Sequence, residues 1–403
     1  MANISSTTLF IVILLLCVSA AVAATAKLQS PAANICKSLV ETQGYICQEH
    51  KVTTKDGYVL GVQRIPMGRS ANKTANNKPP VLLQHGLLLS NYQDAATWLL
   101  GSPDEALGFI LADHGFDVWL SNTRGTASSR GHAWLNPQDP EYWEWSWDEL
   151  AEYELPALFE YVYHQTGQKL HYVGHSLGTL NAFVALSKGK LVNMLRSAAM
   201  LTPVAYLGQM TSPACRSIAE LFLSEKLYSL GVREFILKGQ DVAKLLQFVC
   251  LKAEINCSDT FTVITGPNCC IKKSTVDSFL GNEPQSTATK NVIHLSQMIR
   301  RGTLTKYDYG NVYENVKSYG HITPPAYNVK SIPKDVPLLL SYGGKDSLTV
   351  VNDVKILLED LRDHKADKLV LQYRDDYAHF DFIVGYNANK LVYDPLIAFF
   401  MLH

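Results

Sequence analysis

The chain has 403 residues, with 36 Lys and Arg against 37 Asp and Glu, and 47% of its residues are hydrophobic. A formal net charge of −1, with both signs dispersed, gives no sign of the basic face on which nucleic-acid binding depends, and no nucleic-acid partner is expected. Length and apolar content suffice for a large core, and no internal repeat or low-complexity run interrupts it, so one core domain with an insertion is expected.

The N-terminus carries an apolar run over 9–18 followed by small residues, Ala21-Val22-Ala23 and Ala24-Thr25-Ala26. The run falls short of the roughly 18 to 20 apolar residues of a membrane span, so residues 1–26 read as a cleaved signal peptide. The mature protein is then expected in the secretory pathway with no stable membrane anchor, either extracellular or in a lysosome or vacuole. Cysteine usage agrees with an oxidising compartment. Removing Cys17 with the leader leaves Cys36, Cys47, Cys215, Cys250, Cys257, Cys269 and Cys270, an odd number, so at least one thiol is free or pairs externally. Cys36 and Cys47 flank a short segment and make a plausible bridge. Cys250, Cys257, Cys269 and Cys270 could be read as a zinc site, but vicinal cysteines in a secreted chain favour disulfides, with the connectivity open. No metal and no cofactor are expected. Asn72 in Asn72-Lys73-Thr74 and Asn256 in Asn256-Cys257-Ser258 are glycosylation acceptors in that compartment.

Further along, residues 49–65 alternate in strand fashion about Asp56-Gly57, a hairpin turn, and the polar stretch 70–78 reads as an exposed connection. Strands at 81–84, 116–120, 170–173 and 197–201 then alternate with helices such as 149–165, which specifies a mostly parallel sheet covered on both faces. The aromatic run Tyr142-Trp143-Glu144-Trp145-Ser146-Trp147 is expected to pack against this core rather than to bind lipid. From about 205 to 330 the pattern turns to helical periodicity and polar linkers, and strands resume at 336–342 and 368–373. This divides the chain into a first core segment (27–204), an insertion (205–330) and a second core segment (331–403). Within the insertion, 218–227 is amphipathic and suits a lid helix or a core-facing helix of a cap.

The chemistry begins at Gly174-His175-Ser176-Leu177-Gly178, between the 170–173 strand and the helical run 180–186. Strand, G-x-S-x-G, helix is a nucleophile elbow: the serine Oγ must project from a turn so sharp that the flanking positions carry no side chain. At ordinary Gly and Ser frequencies roughly one 400-residue chain in ten contains the pentapeptide by chance, so its partners must decide the matter. An acid and then a histidine should follow in that order. Asp346 follows Gly343-Gly344-Lys345 at the end of the 336–342 strand, and His379 lies in the loop after the 368–373 strand. Asp375, Asp376 and Asp381 compete for the acid role, but near neighbours in sequence rarely meet triad geometry, so Asp346 is preferred. The Leu177 N–H at the helix start and the Leu87 N–H, in the His85-Gly86-Leu87 loop after the 81–84 strand, are the expected oxyanion donors. His85 itself is expected to be architectural.

Gln84-His85-Gly86-Leu87-Leu88, Tyr172 to Gly178, Tyr342 to Asp346 and Ala378-His379-Phe380-Asp381-Phe382 together resemble the eukaryotic acid lipase family, which spans gastric, lysosomal and plant triacylglycerol lipases. Gly44-Tyr45 through Gly57-Tyr58, Ser121-Asn122-Thr123-Arg124-Gly125 and Ser146-Trp147-Asp148-Glu149-Leu150 extend the resemblance over nearly the whole mature chain. It implies an α/β-hydrolase fold with an inserted helical cap. The implied roles are nucleophile at Ser176, acid at Asp346, base at His379, and oxyanion amides at Leu87 and Leu177. Animal digestive members usually carry Gln after the serine, where this chain has Leu177; the donor there is a backbone amide, so the mechanism survives while lipid preference stays open. The expectation is a secreted serine lipase cleaving acyl esters of neutral lipids at a lipid–water interface. A general carboxylesterase or sterol-ester hydrolase is the alternative, and a non-catalytic binding protein is disfavoured because every triad position is present.

Overall fold

The computed structural model describes residues 34–69, 78–87, 94–236, 260–275 and 285–403. The leader at 1–26, Asn72, Asn256, Cys250 and Cys257 lie outside the described residues.

In chain order the strands are β1 (Gln48–Thr53), β2 (Tyr58–Ile65), β3 (Pro80–Gln84), β4 (Asp117–Ser121), β5 (Gly131–His132), β6 (Leu170–His175), β7 (Leu195–Leu201), β8 (Glu234–Phe235), β9 (Thr287–Ala288), β10 (Leu338–Gly343) and β11 (Leu369–Arg374). Nine form one sheet in the order β1-β2-β4-β3-β6-β7-β10-β11, with β5 added to β2. Pairing is antiparallel from β1 to β4 and parallel from β4 through β11. The β1–β2 hairpin turns at Asp56-Gly57 as expected, pairing Thr53 with Val59.

Strand periodicity sorts the sheet residues onto two faces. Leu82, Trp119, Tyr172, Leu338 and Leu340 fall in one buried cluster, with α2 (Leu155–Thr166) and α3 (Leu177–Ser187). Val81, Leu83, Val118, Leu120, Val173 and Leu339 fall in the other, with α1 (Leu107–Asp113) and the C-terminal helix Asp394–Leu402. Both faces are therefore covered, which is why β3, β4 and β6 are buried along their whole length.

Helical backbone runs without a break over the expected 149–165, from Trp147 to Thr166, with a π segment at Leu150–Glu154 ahead of α2. Ser146 and Glu149 form a reciprocal capping box that starts the helix early. Pro156 has no N–H to give the carbonyl four residues back, and the ladder widens so that the Leu155 N–H reaches Leu150 O. One expectation needs correction: the amphipathic stretch 218–227 is not one helix. It splits into α4 (Pro213–Glu220) and α5 (Leu223–Ser229), with Phe222 between them at φ 51°. The cause lies in α6 (Thr289–Arg301): Arg300 donates to Ala219 O at 2.6 Å and its guanidinium sits 4.1 Å over the Phe222 ring. A cation capping the last carbonyls of α4 ends that helix.

Between Leu201 and Leu338 none of the described residues joins the nine-stranded sheet. This excursion carries α4, α5, α6 and the β8–β9 pair, and it has its own small cluster of Ile218, Phe235 and Val292. The aromatic run packs as expected, with Tyr142, Trp143, Trp145 and Trp147 all buried. Trp147 stacks on His294 of α6 at 3.9 Å between ring centroids, and Asp148 accepts from the Tyr327 hydroxyl and the Tyr307 N–H. The run thus joins the sheet domain to the excursion.

Candidate active site

β6 ends at His175, α3 begins at Leu177, and Ser176 alone makes the turn, at φ 53° and ψ −117°. That conformation is costly for any residue with a side chain and is held by the structure around it. The Ser176 N–H bonds Leu201 O of β7 at 3.1 Å. A Cβ at position 178 would stand 2.5 Å from Gln84 O, and one at position 174 would stand 2.9 Å from the Gly178 carbonyl carbon, so the bend closes only with glycine at both places. Because Leu177 is the first residue of α3, its N–H has no carbonyl four residues back to bond within the helix.

The loop after β3 lies against this turn. A Cβ on Gly86 would be 2.7 Å from the Ser176 Cβ, so the half-buried Leu87 follows directly beside the serine. His85 fixes that loop. Its Nε2 accepts from the Thr123 N–H at 3.1 Å, which leaves Nδ1 as the protonated nitrogen donating to Gly86 O at 2.8 Å. Burial pushes the His85 pKa down to about 4, so the ring stays neutral and architectural. Behind it the Ser121 to Gly125 stretch is tied into the core. Asn122 donates to Gly61 O and Gln63 Oε1, and the buried Arg124 bridges Asp56 and Glu154 while lying 3.9 Å over the Tyr58 ring.

Asp346 and His379, the expected acid and base, arrive from the other half of the sheet. Asp346 follows β10, and its Oδ2 accepts from His379 Nδ1 at 2.8 Å and from the Thr349 hydroxyl. Its Oδ1 accepts from the Leu348 and Thr349 N–H groups at 2.8 and 2.9 Å. Burial opposes ionisation of Asp346, yet the His379 ring and the Thr349 donors outweigh it and hold its pKa below the usual carboxylate value. His379 is fully buried, and its Nε2 has no hydrogen-bond partner among the described residues. The rival carboxylates go elsewhere: Asp375 accepts from the Tyr373 hydroxyl, Asp376 pairs with Arg374, and Asp381 accepts from the Cys269, Cys270 and Ala378 N–H groups.

Two site residues escaped the sequence reading. His175 donates through Nε2 to His379 O at 3.2 Å, with the two rings 4.8 Å apart, so the residue before the serine also holds the base loop. Thr349 orients Asp346, and the spacing Asp346-Ser347-Leu348-Thr349, a local side-chain turn, was the available signal. Cys36 and Cys47 are bridged as expected, Cys269 and Cys270 are bridged to each other, and Cys215 is a free thiol. Among the described residues no helix is long and apolar enough to cross a membrane.

Residues 36–101 match the partial alpha/beta-hydrolase lipase region, and residues 79–386 match the alpha/beta hydrolase fold. Triacylglycerol lipase 2 of Arabidopsis thaliana is 50% identical over 374 residues, covering 92% of this chain and 88% of that protein. The chain belongs to the eukaryotic acid lipase family of α/β-hydrolases. Within that family, triacylglycerol lipase 1 of Arabidopsis thaliana is 40% identical, covering 92% of this chain and 91% of that protein. Gastric triacylglycerol lipase of Rattus norvegicus is 35% identical, covering 92% of each chain. A solved soluble variant of monoglyceride lipase from Saccharomyces cerevisiae shares the fold, with a TM-score of 0.56 at 15% identity over 89% of this chain and 95% of that one.

Proposed function

We propose that this member of the acid lipase family is a serine hydrolase of the acyl esters of neutral lipids, working through an acyl-enzyme. The observation that carries the reading is the buried His379–Asp346 pair, its Nε2 without a partner among the described residues, on the loops beside a serine held at φ 53°. In the first half-reaction Ser176 Oγ attacks the ester carbonyl while His379 Nε2 takes its proton, and Asp346 stabilises the resulting imidazolium. The Leu87 and Leu177 amides bind the oxyanion. The imidazolium then protonates the leaving alcohol, and water repeats the sequence on the acyl-enzyme to release the fatty acid.

The names of the relatives point to triacylglycerols as the substrate class. The excursion at 205–330 acts as a cap over an acyl-accepting cleft, and burial of each acyl methylene contributes about 0.8 kcal/mol, enough to favour long chains. The protein works outside the cytosol, in the extracellular space or in a lysosome or vacuole, after loss of residues 1–26 and with glycans at Asn72 and Asn256.

The test is turnover against acyl chain length, with each ester offered as monomer and as emulsion, for wild type and Ser176→Ala. The expected result is a rate that rises with chain length and with emulsification, and that vanishes in a folded Ser176→Ala protein. A rate highest for acetyl esters and indifferent to emulsification makes the protein a general carboxylesterase instead. A preference for cholesteryl over glyceryl esters makes it a sterol-ester hydrolase. Substantial turnover by Ser176→Ala removes the serine mechanism altogether.

A further inference from the structure

The segment 265–271 belongs to the excursion by sequence, but its hydrogen bonds run to the two loops that carry Asp346 and His379. Thr265 O accepts the Ser347 N–H at 3.2 Å and the His379 N–H at 3.4 Å. A Cβ on Gly266 would stand 2.0 Å from Lys345 O, so the backbone lies directly on the acid loop. Asn268 Oδ1 accepts the Phe380 N–H at 3.1 Å. Cys270 O accepts the Tyr386 N–H at 2.8 Å, and Ile271 bridges Gly385. At the centre, Asp381 binds the Cys269 and Cys270 N–H groups with its two carboxylate oxygens, at 3.2 and 3.0 Å, and also takes the Ala378 N–H at 2.8 Å. Asp381 is thus a clamp between the cysteine pair and the residue preceding His379.

The cysteines whose amides fill that clamp are bridged to each other, across adjacent positions. A bond between neighbouring residues closes a small ring that includes their shared peptide unit. The orientation of the two N–H groups offered to Asp381 therefore depends on the bond. Cys269 is exposed, whereas Cys270 is buried. Both sulfurs lie within 4.8 Å of an Asp381 carboxylate oxygen and of each other.

We propose that Cys269–Cys270 is a thiol–disulfide exchange site that controls the positioning of His379; the inference rests on the hydrolase reading above. The reductant is a dithiol. Its thiolate attacks the exposed Cys269 sulfur, the S–S bond breaks, and Cys270 leaves as a thiolate that takes up a proton. The second thiol of the reductant then displaces Cys269 from the mixed disulfide. Two protein thiols and one oxidised dithiol result. An opened pair frees the two amides from their fixed orientation and puts thiol or thiolate sulfur beside the Asp381 carboxylate, where like charge repels. The Asp381 clamp loosens, and the base loop with it. Cys269 and Cys270 are positioning residues: they act through Asp381 and the 378–381 loop on His379.

The experiment uses the full secreted protein, graded reduction with a dithiol, and mass mapping of the reduced cysteines by differential alkylation. Exposed Cys269 is expected to open before the Cys36–Cys47 bridge, since Cys36 is buried. At that point kcat for a soluble ester should fall severalfold, up to about tenfold, with KM changed less than twofold, because misplacement of a catalytic group acts on the chemical step. Phenylarsine oxide, which captures two adjacent thiols, should add one equivalent at Cys269 and Cys270 and hold the protein in the slow state. Reoxidation should restore the rate. Cys269→Ala/Cys270→Ala should show the slow rate from the start and no response to the dithiol.

A serine-directed fluorophosphonate separates the two readings. Failure to label Ser176 in the oxidised protein overturns the hydrolase reading, whereas equally fast labelling in oxidised and Cys269/Cys270-reduced protein overturns this inference alone. Recovery of Cys269 and Cys270 as thiols from the secreted protein also overturns it, as does an unchanged kcat once mapping shows both reduced. Should the double variant fail to fold, the arsenical-locked wild type supplies the same measurement.

Discussion

Asp346→Asn is decided by which way a carboxamide can sit. Oδ1 of Asp346 faces two backbone donors, the Leu348 and Thr349 N–H groups, and Oδ2 faces His379 Nδ1 and the Thr349 hydroxyl. Backbone amides cannot become acceptors, so the carboxamide oxygen of Asn must take the Oδ1 place. Its NH2 group then points at His379 Nδ1. That contact is satisfied only when Nδ1 is the bare nitrogen, which moves the proton to Nε2. An Nε2–H cannot take the proton of Ser176. Loss of the right tautomer in such triads costs about 10⁴-fold in kcat, or about 5.5 kcal/mol of transition-state stabilisation. Stability should move much less, by about 1 to 2 kcal/mol, since one charged acceptor is lost while one buried charge is removed. The assay is steady-state turnover of a soluble ester beside denaturant unfolding, for Asp346→Asn and for Asp381→Asn. Asp381 faces only backbone donors in this region and acts at a remove, so its variant should lose at most about tenfold. A folded Asp346→Asn protein within tenfold of wild type, or a larger loss in Asp381→Asn, refutes the reasoning and transfers the acid role.

Three further outcomes follow from the same contacts. Ser176→Gly should abolish turnover yet raise stability by about 1 kcal/mol in urea unfolding, because glycine accepts the φ of 53° that serine adopts under strain, whereas Ser176→Ala should abolish turnover without that gain. Arg124→Leu should cost about 3 to 5 kcal/mol by leaving the buried Glu154 carboxylate without its cation, and Arg124→Leu/Glu154→Leu should recover part of the loss. Burial lowers the His171 pKa to about 3, so the unfolded chain binds a proton near pH 6.5 that the folded chain refuses. Stability contributed by the neutral ring is present above pH 6.5 and falls as pH drops below it. His171→Phe, which keeps the stacking on Phe400, should therefore lose about 2 kcal/mol less than wild type between pH 7 and pH 5; equal losses would remove His171 as a source of that dependence.

The chain order of the site was legible because each part is a short motif at the end of a strand. Gly174 to Gly178 encodes its own turn, since steric limits at two glycines and one serine are local. The diglycine before Asp346 and the loop around His379 are read from the strands that precede them. That both faces of the sheet are covered was legible from the alternation of strands with helices along the chain. What the sequence left open depends on contacts between segments far apart in the chain. Asp346 and Asp381 are equivalent as carboxylates; only the placement of β10 beside β11 brings Asp346 to His379 and leaves Asp381 to the backbone of 269 and 270. The stretch 218–227 has a continuous helical period, and Arg300 of α6 interrupts it by capping the carbonyl of Ala219. Vicinal Cys269 and Cys270 could have paired with other cysteines, and it is the packing of 265–271 across the acid and base loops that makes their mutual bond part of the site. Local sterics thus set which residues can do the chemistry, while long-range hydrogen bonds decide which of several equivalent groups is in place to do it.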